Sequence, residues 1–111
     1  QEVADETGAR IEPPVTISDN FPTPMAPDML EWLDEAAGKL GARHRRMASG
    51  AGHDAAFLAK VTRAAMVFVP CRDGRSHSPE EWAETDDIAL GAAVMLEAVL
   101  RMDREPAAER A

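Results

Sequence analysis

"AAMVFVP", residues 64–70, is the longest unbroken apolar run in the chain, and its reading decides the fold. It has strand length, is rich in β-branched and aromatic residues, and is stopped by Pro70, as expected for a strand covered on both faces. A doubly covered strand implies helices above and below it. The flanking segments supply them, so the expected class is α/β, a layered sheet with flanking helices.

Working toward the C-terminus, "SPEEW" reads as a helix start: Ser78 as cap, Pro79 at the first helical position and Glu81 completing a capping box. Thr85, Asp86 and Asp87 open a further helix. Its Ile88, Ala92, Met95, Leu96 and Val99 share a face, and Arg101 and Arg104 suit its C-terminal dipole. Working back, "HDAAFLAKVTR" (53–63) reads as a short helix and "ARHRRMAS" (42–49) as a strand leading into the glycine turn. Pro27 and Asp28 begin a helix carrying Met29, Leu30, Leu33, Ala36, Ala37 and Leu40 at helical period, with Gly41 to end it. Further upstream, "DNFPTPMAP" carries three prolines and reads as a stiff connection, and "ARIEPPVTIS" as an edge strand or an extended crossing. The order strand, helix, strand, helix, strand, helix implies right-handed crossovers. "QEVADETGAR" shows no helix or strand period, and "REPAAERA" carries no apolar face, so both ends read as irregular. The start at Gln1 suggests a piece cut from something longer. The expected division is 1–25 as an extended segment, 26–103 as an α/β unit and 104–111 as a tail.

The totals bound the function. A chain of 111 residues holds one core. A net charge of −8 argues against nucleic acid, because phosphate neutralisation needs a basic face, and equally against an acidic membrane surface. No apolar run approaches the roughly 20 residues that span a bilayer. The lone Cys71 cannot form an internal disulfide, which suits a reducing compartment, and the expected location is cytoplasmic.

Two places carry candidate chemistry. His77 follows the strand end and precedes the expected cap, where α/β sheets bind ligands. A histidine fixed there suits a metal ligand or an acid/base group, though it could equally serve only its loop. "SGAGHDA", residues 49–55, places Ser49, Gly50, Ala51 and Gly52 before a helix N-terminus, where glycines permit close approach and unpaired N–H groups favour an anion. It could also be only a strand-to-helix turn. His53 and Asp54 lie in the first turn, where Asp54 complements the dipole. Cys71 with His77 as a nucleophilic pair lacks a nameable oxyanion donor. The three histidines, His44, His53 and His77, show no zinc-ligand spacing.

Taken together, "SGAGHDA", "MVFVPCRDGRSHSPEEW" and "DDIALGAAVMLEAVL" resemble the C-terminal end of the N-carbamoyl-L-amino-acid hydrolases, a dinuclear-metal amidohydrolase family that includes allantoate amidohydrolase and β-ureidopropionase. The resemblance covers roughly residues 10–103. It departs at Arg75, where the family usually has an apolar residue, and at Cys71, where serine is common. It implies that His77 is a metal ligand and that Ser49, Gly50, Ala51 and Gly52 lie beside the substrate carboxylate. It also implies that no catalytic residue lies in this segment. Two divalent ions (zinc, manganese or cobalt) would belong to the complete enzyme and not to this chain alone. The partners implied are a ureido or N-carbamoyl amino acid, the remainder of the catalytic domain and a second copy in a homo-oligomer. "RIEPPVTISDNFPTPM" would then be the return from a dimerisation and lid domain. Two other readings remain open: a truncated, non-catalytic homologue that self-associates or binds a partner, and a related aminoacylase or peptidase acting on an amide.

Overall fold

In the computed structural model, which describes residues 2–10, 12–17, 19 and 21–104, the organising contact is between two helices. Helix α2 (Pro27–Lys39) and helix α4 (Thr85–Arg104) pack along one seam, where Trp32, Ala36 and Ala37 meet Val94 and Ala98. Small residues let the helices approach, and Trp32 fills the space they leave. Two exposed ion pairs, Lys39–Glu97 and Arg101–Glu35, bridge the same seam. Exposed pairs of this kind contribute about 0–1 kcal/mol each, so apolar burial holds the helices together.

The ends of α2 follow from its sequence. Pro27 stands at the first helical position, and Asp28 accepts the Met29 N–H at 2.9 Å and pairs with Arg63, whose guanidinium lies over the Trp32 ring at 5.6 Å. Burial pushes the Asp28 carboxyl up, but the Met29 N–H and the Arg63 guanidinium outweigh it and hold the group below its ordinary value. At the other end Gly41 adopts φ 67, its N–H donates to Gly38 at 3.1 Å, and the Ala42 N–H donates to Ala37 at 2.9 Å. This is a Schellman closure, and the left-handed residue it needs is the glycine.

No strand forms among the described residues, which overturns the expected α/β layered sheet. Residues 64–70 adopt neither helix nor strand. Ala65 lines a small pocket with Trp32, Met95 and Val99, Met66 and Phe68 line a larger groove on the other side, and Val67 lines both. What is missing is a ladder. The Ala64 carbonyl accepts from Ala26 N–H at 2.9 Å, but among the described residues no segment pairs with the run that follows. An extended segment becomes a strand only when its N–H and C=O groups are paired in register. Residues 43–48 likewise form no strand and have no main-chain hydrogen bond to another segment among the described residues, and 12–17 contain Val15 and Ile17 at 83% and 97% exposure. The fold is therefore helical, with irregular connections.

Two smaller expectations also change. Helix α1 (Glu2–Thr7) occupies part of the stretch that read as irregular. "SPEEW" makes a turn, with Glu81 N–H donating to the Ser78 carbonyl at 3.1 Å, and not a helix. The bounds of α2 and α4 follow the sequence reading, helix α3 (Asp54–Leu58) is shorter than the expected 53–63, and most of the 104–111 tail lies outside the described residues. Among the described residues the core is small: six buried apolar residues, four of them alanine, and no large side chain fully enclosed. The radius of gyration, 19.5 Å, exceeds the roughly 13 Å of a compact domain of this length.

Candidate functional site

Residues 64–70 carry Phe68 to the place where the glycine turn and the histidine loop meet. Phe68 lies edge-on to His53, with ring centroids 5.4 Å apart at 60°, and His53 lies edge-on to His77 at 5.9 Å and 73°. The two segments singled out in the sequence thus come together through their histidines.

The loop holding His77 is built from its ends inward. Arg72 N–H donates to the Trp82 carbonyl at 2.7 Å and its guanidinium lies over the Trp82 ring at 5.4 Å, closing the loop. Inside it, residues Arg72–Gly74 form a 3-10 turn in which Asp73 (φ 56) and Gly74 (φ 66) are left-handed. His77 is left-handed too, with φ 56. This conformation costs a side-chain-bearing residue about 1–2 kcal/mol and persists only where the surroundings impose it. Here the Glu81 carboxylate accepts the His77 N–H at 3.0 Å. The capping box expected on Ser78 is thereby corrected: Glu81 reaches the histidine instead, and the buried Ser78 hydroxyl has no partner. The His77 ring is exposed, and neither ring nitrogen has a hydrogen-bond partner among the described residues.

In the glycine turn, Ser49 does the folding. Its hydroxyl accepts the Ala51 N–H at 3.2 Å and is hydrogen-bonded to His53 Nε2 at 2.7 Å. Gly50 and Gly52 are not left-handed, and a Cβ on either would meet nothing within 4 Å, so neither turns the chain by special geometry. They leave open main chain instead. Ser49, Gly50, Ala51, Gly52 and His53 line a groove of about 1340 Å³, bounded by Leu33 of α2 and by Phe68, while His77 stands outside its lining and touches it through His53.

The other histidine is placed apart. His44 Nδ1 donates to the Ala42 carbonyl at 2.9 Å, and its Nε2 faces Asp34 at 3.5 Å. Arg46 takes the other Asp34 oxygen at 2.7 Å, so two residues of the stretch "RHRR" (43–46) are tied to α2. Cys71 is a half-buried free thiol. Sequence reasoning missed Phe68, Glu81 and Trp82 as parts of this arrangement. The period-2 position of Phe68 was the available sign.

Comparison with known proteins agrees with the motifs. The family model of Peptidase family M20/M25/M40 matches residues 6–101. The chain belongs to this family. It is 49% identical over 83 residues to an N-carbamoyl-L-amino-acid amidohydrolase of Paenarthrobacter aurescens, covering 75% of this chain and 20% of the relative. A ureidoglycolate hydrolase of Arabidopsis thaliana is 39% identical over 67 residues, covering 60% and 14%. A probable allantoate deiminase of Oryza sativa subsp. japonica is 54% identical over 48 residues, covering 42% and 10%. The chain thus spans a fifth or less of the length of these relatives. No solved structure gives a significant match. Among the described residues no helix is long and apolar enough to cross a membrane.

Proposed function

We propose that this chain is the C-terminal segment of a metal-dependent hydrolase that cleaves a linear C–N bond of N-carbamoyl amino acids or related ureido acids. The observation that carries this reading is the meeting of the Ser49–Gly52 turn and His77 through the His53 ring, 5.9 Å from that of His77. The names of the relatives, carbamoyl and ureido hydrolases and a deiminase, point to the same class of bond.

His77 fits the role of a single metal ligand: an exposed ring with uncommitted nitrogens on a main chain held by Glu81. A whole centre does not fit. Among the described residues no group of three or more His, Cys, Asp or Glu could hold an ion. A catalytic zinc takes three protein ligands and a water, so the other donors would come from the remainder of the catalytic domain. Two divalent ions (zinc, manganese or cobalt), when bound, lower the pKa of a water and polarise the carbonyl under attack. The contribution of this chain is to hold one ion through His77 and to receive the substrate. The N–H groups of Gly50 and Gly52 have no internal acceptor among the described residues, and the space above them is open to a carboxylate.

A second reading has its own observation. Ile88, Met95, Leu96 and Val99 of α4 are 47–58% exposed, an apolar face that suits a non-catalytic homologue acting through self-association or partner binding. Homo-oligomerisation is compatible with both.

Ammonia release from N-carbamoyl and ureido acids separates them. The full-length protein carrying this segment should turn over, lose activity to a chelator and regain it with zinc, manganese or cobalt. The 111-residue chain should be inactive. Full-length protein that is inactive with every metal, or unaffected by chelation, contradicts the proposal.

A further inference from the structure

We infer that His53 is a positioning residue: tethered by Ser49 and backed by Phe68, it sets the orientation of the His77 ring. The resemblance leaves His53 without a role, and its surroundings supply one. On one side the Ser49 hydroxyl engages Nε2 at 2.7 Å, and that hydroxyl is itself held by the Ala51 N–H. On the other, the Phe68 ring meets His53 edge-on. The main chain is restrained as well, because the His53 carbonyl accepts the Ala56 N–H at 3.0 Å where α3 begins. His53 is half-buried and fixed at three points.

His77 is fixed differently. Glu81 and the left-handed φ hold its main chain, but they leave rotation about its side-chain bonds unrestrained. Among the described residues its exposed ring meets one other aromatic ring, that of His53, at 5.9 Å and 73°. That separation and tilt suit an edge-to-face ring pair. A donor ring binds a metal well only when its lone pair is aimed, and the groups that aim such rings lie in the layer behind the ligand. Phe68, His53 and His77 form such a row, with Ser49 as its anchor. Ser49 and His53 thus have a reason to stand four residues apart beside the glycines.

The inference rests on the reading of His77 as a ligand, but its first test does not. NMR of the metal-free 111-residue chain should show cross-peaks between the His53 and His77 ring protons and a narrow range of side-chain angles at His77. His53→Ala and Ser49→Ala should broaden that range, and His53→Phe, which keeps a ring edge in place, should restore it. A His77 ring equally ordered in both alanine variants would overturn the inference. Zinc titration of the metal-depleted full-length protein carrying the same substitutions should show affinity lowered about tenfold in His53→Ala and recovered in His53→Phe. Equal zinc affinity in His53→Ala and the parent chain would also overturn it. If His77→Ala leaves the zinc affinity of the full-length protein unchanged, the ligand reading fails, and the metal-free ordering still decides whether His53 positions the ring.

Discussion

Gly91 sits inside α4 where a helix would ordinarily prefer alanine, and the reason is the extended segment lying across it. A Cβ on Gly91 would lie 2.5 Å from Cγ1 of Val69 and 3.9 Å from Cγ1 of Val67. Glycine in a helix interior costs about 0.8–1.0 kcal/mol relative to alanine, so Gly91→Ala on a free helix would stabilise by that amount. Here the new methyl overlaps a β-branched side chain that has little rotamer freedom, and overpacking of this kind costs roughly 1–3 kcal/mol. The expected net effect is destabilisation by about 1 kcal/mol. In a Val69→Ala background the overlap disappears and Gly91→Ala should stabilise by about 1 kcal/mol, which makes the coupling between the sites about 2 kcal/mol. Urea unfolding of the four chains, followed by helical circular dichroism, measures all of this. Stabilisation by the same amount in both backgrounds would show that residues 64–70 do not rest on α4.

Three further outcomes follow from the packing. Trp32→Ala, which removes the largest side chain of a core otherwise made mainly of alanines, should cost about 3–5 kcal/mol and unfold much of the chain at room temperature, as read by loss of helical signal. Gly41→Ala places a Cβ on a residue with φ 67 and should cost about 1 kcal/mol in the same assay. Asp28 has a folded pKa below its ordinary 3.8, so its contribution is fully present above about pH 4 and is lost as pH falls through the folded value. Arg63→Met should reduce that acid-side dependence by under about 1 kcal/mol, because the carboxylate is 40% exposed. An unchanged acid profile would show that the pair does not form in solution.

What could be read from the residues depended on how local the cause was. The bounds of α2 and α4 were legible because a proline, a glycine and a helical apolar period are local. Residues 64–70 were read as a strand and form none among the described residues, because a strand needs a partner that period and propensity cannot supply. The six residues of α1 carried no amphipathic period to announce a helix. In the site, His77 and the Ser49–Gly52 turn were visible as motifs. The way they meet was hidden, since it depends on Phe68 arriving from a third segment and on Glu81 choosing the His77 N–H over that of Ser78. The glycines were expected to turn the chain. Ser49 does so through its side chain, leaving Gly50 and Gly52 as open surface.

The central claim is that His77 is one ligand in a metal site completed by other parts of the protein. Elemental analysis of the full-length protein, with and without His77→Ala, tests it most directly. The metal-to-protein ratio should fall by about one ion per chain while the helical signal, and the unfolding midpoint of the metal-depleted proteins, stay unchanged, because the ring is exposed. An unchanged ratio in a folded His77→Ala protein would contradict the account.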